Sequence, residues 1–174
     1  MGIFGQILYN IKNMKKAKKL RSMGKDGLLA LDDGAFYDAI KIICEDAVYD
    51  INATRLTPEQ KIVYSLNKFE SEVNNGGLCQ FFVNSSRECA PYISEAFAAI
   101  GAFELQILFD NFVNINNLDV NDLSSFKASS IHEYQAQTER FDFDSFDDQF
   151  YQDQNIHQQI IDYSRKHIEQ LIVE

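Results

Sequence analysis

Apolar positions recur along this chain at helical rather than strand spacing, and the residues between them fall where helices start and stop. Ile3, Phe4, Ile7, Leu8, Ile11 and Met14 predict an amphipathic helix that becomes basic from Lys12 to Arg21 and stops near Gly24. Cations in its last turns suit the negative end of the helix dipole. Lys25 to Gly34 reads as a loop. Asp32 or Asp33 then caps a helix with the stripe Phe36, Ile40, Ile43, Cys44, Ala47 and Ile51, and Ile51 to Leu56 connects it to the next element. Thr57, Pro58, Glu59 and Gln60 spell a capping box with proline at the first helical position. The helix they open carries Ile62, Leu66, Phe69 and Val73.

That helix runs into the most punctuated stretch of the chain, EVNNGGLCQFFVNSS from Glu72 to Ser86. Asn74, Asn75, Gly76 and Gly77 form a stop, because Asn and Gly tolerate the left-handed conformation that lets the last carbonyls find donors. Leu78, Cys79, Phe81, Phe82 and Val83 resume an apolar turn, and Asn84, Ser85 and Ser86 offer caps for the segment after it. Gln80 and Asn84, four apart, share a helix face. The expectation is a helix-turn-helix corner whose amides satisfy orphan backbone groups, with an amide-lined ligand pocket as the alternative.

Ala90 and Pro91 open the next helix, which carries Ile93, Ala96, Phe97 and Ile100 and breaks at Gly101. Phe103 to Val113 is apolar on two sides: Leu105, Leu108, Phe109 and Phe112 on one, Phe103 and Ile107 on the other. Such a helix is central in a core or half in a subunit interface, and burial is the favoured reading. Asn114 to Ser130 is polar and poorly periodic. Ser130 and Glu133 make a second capping box, opening a modest helix. In ERFDFDSFDDQFYQD, from Glu139 to Asp153, the alternation at Phe141 to Asp144 imitates a strand. Phe143, Phe146 and Phe150 nevertheless fit one helical face, with Asp144 and Asp148 turned away from it. The last helix carries Ile156, Ile160, Tyr163, His167 and Leu171. The prediction is an all-α, single-domain multi-helix bundle of about seven or eight helices.

Charge changes that picture more than composition does. The net charge is -10, yet residues 1–25 hold seven Lys or Arg and no acid, which leaves 26–174 at -17. The division expected is a basic amphipathic helix over 1–25 and an acidic helical domain over 26–174. An acidic body repels nucleic acid and attracts basic partners, with a reach of roughly 8 to 10 Å at ordinary salt. The basic helix can dock on that body, lie on a membrane surface or bind another acidic partner; docking is favoured, since the counter-charge is in the same chain. Its charge follows the apolar run instead of preceding it, unlike a secretory signal.

The string NNGGLCQFFVNSS and the helix ending Ala98, Ala99, Ile100, Gly101, Ala102 resemble the pattern of a bacterial DNA-mimic family. The resemblance is specific over Val73 to Ala102 and weaker near Asp142 to Tyr151 and in the final helix. It implies an all-α fold, an acidic interaction surface, a DNA-binding protein as partner and, among its arrangements, a homodimer. The shared residues Asn74, Asn75, Gly76, Gly77, Gln80, Phe81, Phe82, Asn84, Ser85 and Gly101 are turn, cap and core types and are expected to be structural.

No constellation spells out a reaction. Cys44, Cys79 and Cys89 show no C-x-x-C spacing, and His132, His157 and His167 no metal-ligand spacing. Gly76 and Gly77 sit in no phosphate-loop frame. No catalytic residue, metal or cofactor is expected, and reduced thiols point to the cytoplasm. The function expected is a non-catalytic, DNA-mimic-like regulator that occupies the basic nucleic-acid-binding surface of a partner. An acidic ridge of Asp142, Asp144, Asp147, Asp148 and Asp153 would make the contact, and direct binding to nucleic acid is not expected. The alternatives are an immunity-type inhibitor of a toxin or enzyme with a basic cleft, and a membrane-surface adaptor using the N-terminal helix.

Overall fold

The computed structural model describes residues 3–48, 56–152 and 155–173, with side chains from residue 12 onward. Among the described residues every regular element is helical, as the spacing predicts. The α-helices are α1 (Ile3–Arg21), α2 (Gly24–Leu29), α3 (Asp33–Ala47), α4 (Pro58–Val83), α5 (Ala90–Ile100), α6 (Phe103–Ile115), α7 (Ile131–Thr138), α8 (Phe143–Gln152), α9 (Ile156–Lys166) and α10 (Ile168–Leu171). Short 3-10 turns cover Ser85–Cys89 and Ser124–Phe126. The two shortest helices were not expected. α2 forms inside the expected loop, where Gly24 turns the chain at φ 67° and Leu28 is fully buried. α10 splits from the last helix at His167, whose φ of -110° and ψ of 24° are not helical. Ile51 and the stripe from Ile3 to Ile11 lie outside the described side chains.

Packing divides the chain into two compact units, 1–64 with 161–174, and 65–160. In the first, α1 lies along α3, and α2 touches both. The capping box forms: Gln60 N–H donates to Thr57 Oγ1 at 3.0 Å, and Thr57 N–H to Gln60 Oε1 at 3.1 Å. The amide of Gln60 also donates to the carbonyls of Leu171 and Val173, each at 3.1 Å, tying the C-terminal turn to the start of α4. Asp32 caps α3 by accepting from Ala35 N–H at 2.8 Å. Arg21 meets the other end of α3, donating to Asp46 at 2.5 Å and to the Ile43 carbonyl at 3.0 Å, where the helix dipole is negative. Arg165 gathers three acceptors, the carbonyls of Leu29 and Leu31 and the Asp33 carboxylate, while its guanidinium lies 4.3 Å from the centre of the Phe36 ring.

The second unit is built on phenylalanine. Phe69 makes edge contacts with Phe81 at 4.9 Å, Phe97 at 5.3 Å, Phe150 at 5.8 Å and Phe109 at 5.9 Å between centroids. Phe82 joins a second group through Phe126 at 5.0 Å and Phe112 at 6.2 Å. Edge-to-face aromatic pairs add about 0.5–1.5 kcal/mol each beyond the area they bury. These rings come from α4, α5, α6, α8 and the turn at Phe126, so one cluster fixes most of the unit.

The expected stop interrupts α4. Gly76 (φ -167°, ψ 28°) and Gly77 (φ 75°, ψ 178°) leave the helix, and Leu78 to Val83 starts again. Such a break strands carbonyls on one side and N–H groups on the other. The groups that meet them come from farther along the chain. Tyr151 of α8 donates its hydroxyl to the Val73 carbonyl at 2.6 Å, and Leu78 N–H donates to Asp147 Oδ1 at 2.8 Å. The amides expected to do this serve Glu72 instead: Gln80 and Asn84 donate to its carboxylate at 2.7 and 2.8 Å, and the Ser86 hydroxyl donates to it at 2.8 Å. Asn84 and Ser86 therefore do not act as side-chain caps of the turn that follows. Gly101 ends α5 in the left-handed conformation at φ 80°, with Ala102 N–H donating to the Phe97 carbonyl at 2.9 Å.

Arg165→Ala loses three acceptors and the ring contact, and should lower unfolding stability by about 2 kcal/mol in urea titration. At Gly77 a Cβ would lie 2.0 Å from Asp147 Oδ2 and would also have to tolerate positive φ. Gly77→Ala should therefore cost about 2–3 kcal/mol. Asp147→Ala should cost about 1–3 kcal/mol by stranding Leu78 N–H. The double variant should cost less than the sum by about 1 kcal/mol, since removing the carboxylate relieves the clash.

Candidate partner-binding surface

The acids are spread over both units, and the bases are not. Residues 65–160 hold 15 Asp or Glu against four Lys or Arg, a net -11, while the other unit holds 11 acids against 12 bases, a net +1. Two of the four bases in 65–160 are committed to backbone acceptors: Arg87 donates to the Val83 and Asn84 carbonyls, and Arg140 to the Ser125 carbonyl and Gln137. Arg140 also lies 5.0 and 5.1 Å from the ring centres of Phe126 and Phe141. Four cations among fifteen carboxylates leave the field of this unit negative.

α8 positions the acids singled out in the sequence. Phe143, Phe146 and Phe150 are buried, which anchors the helix and fixes its rotation. Asp142 sits at its start, exposed, its Oδ1 accepting from Ser145 N–H at 3.1 Å in the manner of a cap. Asp144 and Asp148 are exposed one turn apart. Asp147 is placed differently from these three. It is half-buried against the Gly76–Gly77 break, with both oxygens directed at that backbone. Asp153 lies outside the described residues. Three of the five acids are thus described as exposed along α8.

The motif residues fall in different settings. Phe81 and Phe82 are fully buried, Gln80 and Asn84 hold Glu72, Gly76, Gly77 and Gly101 make turns, and Asn74, Asn75 and Ser85 are exposed. Glu72, which no sequence motif marks, has three donors within the same stretch of chain. Burial of α6 was the favoured expectation, and there the structure differs. Phe103, Ile107 and Ile115 are 60%, 59% and 78% exposed, because the buried side of α6 is already filled by Leu105, Phe109 and Phe112. On α1, Lys12, Lys15, Lys16, Lys18 and Lys19 are exposed while Ala17 is buried.

Burial pushes the Cys44 thiol up to about 12 and those of Cys79 and Cys89 up to about 11, so all three are protonated at neutral pH. Among the described residues no three His, Cys, Asp or Glu side chains converge as metal ligands, and no helix is long and apolar enough to cross a membrane.

The thiols should react with a disulfide reagent only as the chain unfolds, giving a labelling rate that follows urea concentration. For Asp147, burial raises the carboxyl above its ordinary value, the Leu78 N–H lowers it in part, and Asp144 and Asp148 raise it further. A folded-state value above the unfolded one means that the folded chain binds the proton better. This contribution to stability is full below the unfolded value and is lost as pH rises through the folded one. Asp147→Asn should therefore flatten the fall in urea midpoint as pH rises above the ordinary carboxylate value.

A family model described as DMP19-like protein matches residues 54–167. No curated protein and no solved structure matches the chain. The matched span takes in all of 65–160, including the glycine break, Glu72 with its three donors, the phenylalanine cluster and α8, and it leaves out α1, α2 and α3. The resemblance carried by NNGGLCQFFVNSS and the acid-rich unit thus fall inside one matched segment, and the chain belongs to the DMP19-like family of DNA-mimic proteins.

Proposed function

We propose that this chain is a non-catalytic interaction protein whose acidic 65–160 unit occupies the basic nucleic-acid-binding surface of a DNA-binding protein. The observation that carries the reading is the concentration of charge: a net -11 lies in the family-matched unit, with Asp142, Asp144 and Asp148 on a helix locked by three buried phenylalanines. B-DNA presents one charge per roughly 1.7 Å of axis, and a typical binder neutralises on the order of 6 to 10 phosphates. The exposed acids of α8 fall short of that number. Imitation of a phosphate row therefore needs further acids of the unit, and a second copy of the chain would extend the row. An anchored helix suits the task, because carboxylates on a rigid element need no ordering when the partner arrives.

A low-salt pull-down, eluted by a salt gradient and challenged with duplex DNA, tests the reading. The expected result is a DNA-binding protein that DNA displaces. Asp144→Asn with Asp148→Asn should weaken its binding by about tenfold and reduce the slope of log affinity against log salt by roughly two. Unchanged binding at low salt would remove α8 from the interface. Recovery of a nuclease or another toxin would favour an immunity-type inhibitor instead. In a gel-shift assay the chain itself should leave DNA unshifted.

A further inference from the structure

In the first unit, α1, the end of α3, the entry to α4 and the C-terminal turn border a cavity of ≈ 420 Å³, a volume within the range of about 300–1,000 Å³ typical of small-molecule sites. Most of its surface is apolar. Met14, Ala47, Leu56 and Val173 supply that surface, and no aromatic side chain lines the cavity among the described residues. Its polar groups differ in what already holds them. The amide of Gln60 is committed to the Leu171 and Val173 carbonyls, and Asp46 is paired with Arg21 at 2.5 Å. Lys15 and Lys18 also line the cavity, both exposed, and among the described residues no carboxylate pairs with either. Three positions apart on α1, they share one face of that helix.

We propose that this cavity binds a single aliphatic chain with an anionic head, the head at Lys15 and Lys18 and the chain against Met14, Ala47, Leu56 and Val173. The proposal goes beyond the acidic-surface reading, since it concerns the other unit, and α1 and α3 lie outside the family-matched span. Each methylene taken out of water tightens binding about fourfold. A lysine stem can lie along an apolar wall while its ammonium group stays in water, so the two cations can meet the head without losing their own solvation. A planar aromatic ligand would find no ring to stack on, and a cationic amphiphile would meet two like charges. The unit has a net charge of +1, so its overall field does not oppose an anion.

The test is calorimetric titration of the full chain with hexanoate, octanoate and decanoate, each below its micelle concentration. One ligand should bind per chain, with affinity rising about fourfold per added methylene. Decanol, with a chain of the same length and no charge, should bind about tenfold more weakly than decanoate. Lys15→Gln with Lys18→Gln should bring decanoate down to the level of decanol and leave decanol unchanged. Met14→Gln with Val173→Gln should weaken both ligands about tenfold. All four positions are exposed, so the chain should fold as before. Absence of decanoate binding, equal binding of decanoate and decanol, or decanoate binding that survives the lysine changes overturns the proposal. Several decanoates per chain, indifferent to both pairs of changes, would mark detergent-like adsorption and overturn it too. Vesicles of phosphatidylglycerol and phosphatidylcholine separate a free anion from a bilayer. Should they pellet the chain while free decanoate fails to bind, the lysines serve a membrane surface and the cavity assignment falls.

Discussion

A helix broken in mid-course leaves backbone donors and acceptors that must be met before the break can be buried, and in this protein α8 meets them. Tyr151 takes the Val73 carbonyl on one side of Gly76–Gly77 and Asp147 takes Leu78 N–H on the other. These two residues are four apart and so share one face of α8. Phe143, Phe146 and Phe150 occupy a neighbouring face, inside the aromatic cluster. With both faces committed, the rotation of α8 has no freedom left. Asp144 and Asp148 come to solvent on a third side, and Asp142, Ser145 and Gln149 lie beside α6 on a fourth. The display of acid is a consequence of how the break in α4 is satisfied.

That coupling explains why one aspartate of the acid-rich segment behaves unlike its neighbours. Asp147 is held above its ordinary carboxylate value by burial, and its position beneath Gly77 leaves no space for a Cβ there. Its worth is local, since it replaces water on an N–H at the start of a helical segment. The other acids of the segment keep their solvation and contribute to the field that a partner meets. A row of like charges on one small unit works against folding, and the interlocked phenylalanines around Phe69 and Phe82 supply the offsetting burial.

Much of this was legible in the residues. The capping box at Thr57 and Gln60 forms as written, because its partners lie within one turn and need nothing from the rest of the chain. The second box forms only in part. Ser130 accepts from Glu133 N–H at 3.2 Å, but Glu133 reaches the backbone and hydroxyl of Ser129 and not Ser130. The choice of helix over strand for Phe143 to Phe150 was decided by three phenylalanines at helical spacing. α2 was not legible, since its six residues have little periodicity and are closed by Arg165, more than 130 residues away. The exposure of Ile107 and Ile115 was hidden for a related reason: a helix apolar on two sides does not declare which side the core will use.

Local pattern by itself determined the helical class, the caps, the stop at Gly76–Gly77, the aromatic stripe of α8 and the family motif, because each rests on interactions within a few residues. Tertiary structure alone decided which carboxylates are available. It turned Asp147 inward, against a backbone N–H nearly 70 residues away, and left Asp144 and Asp148 in solvent. The physical reason is that a carboxylate's role depends on its solvation and on the donors around it, and both come from parts of the chain that its own neighbours in sequence do not specify.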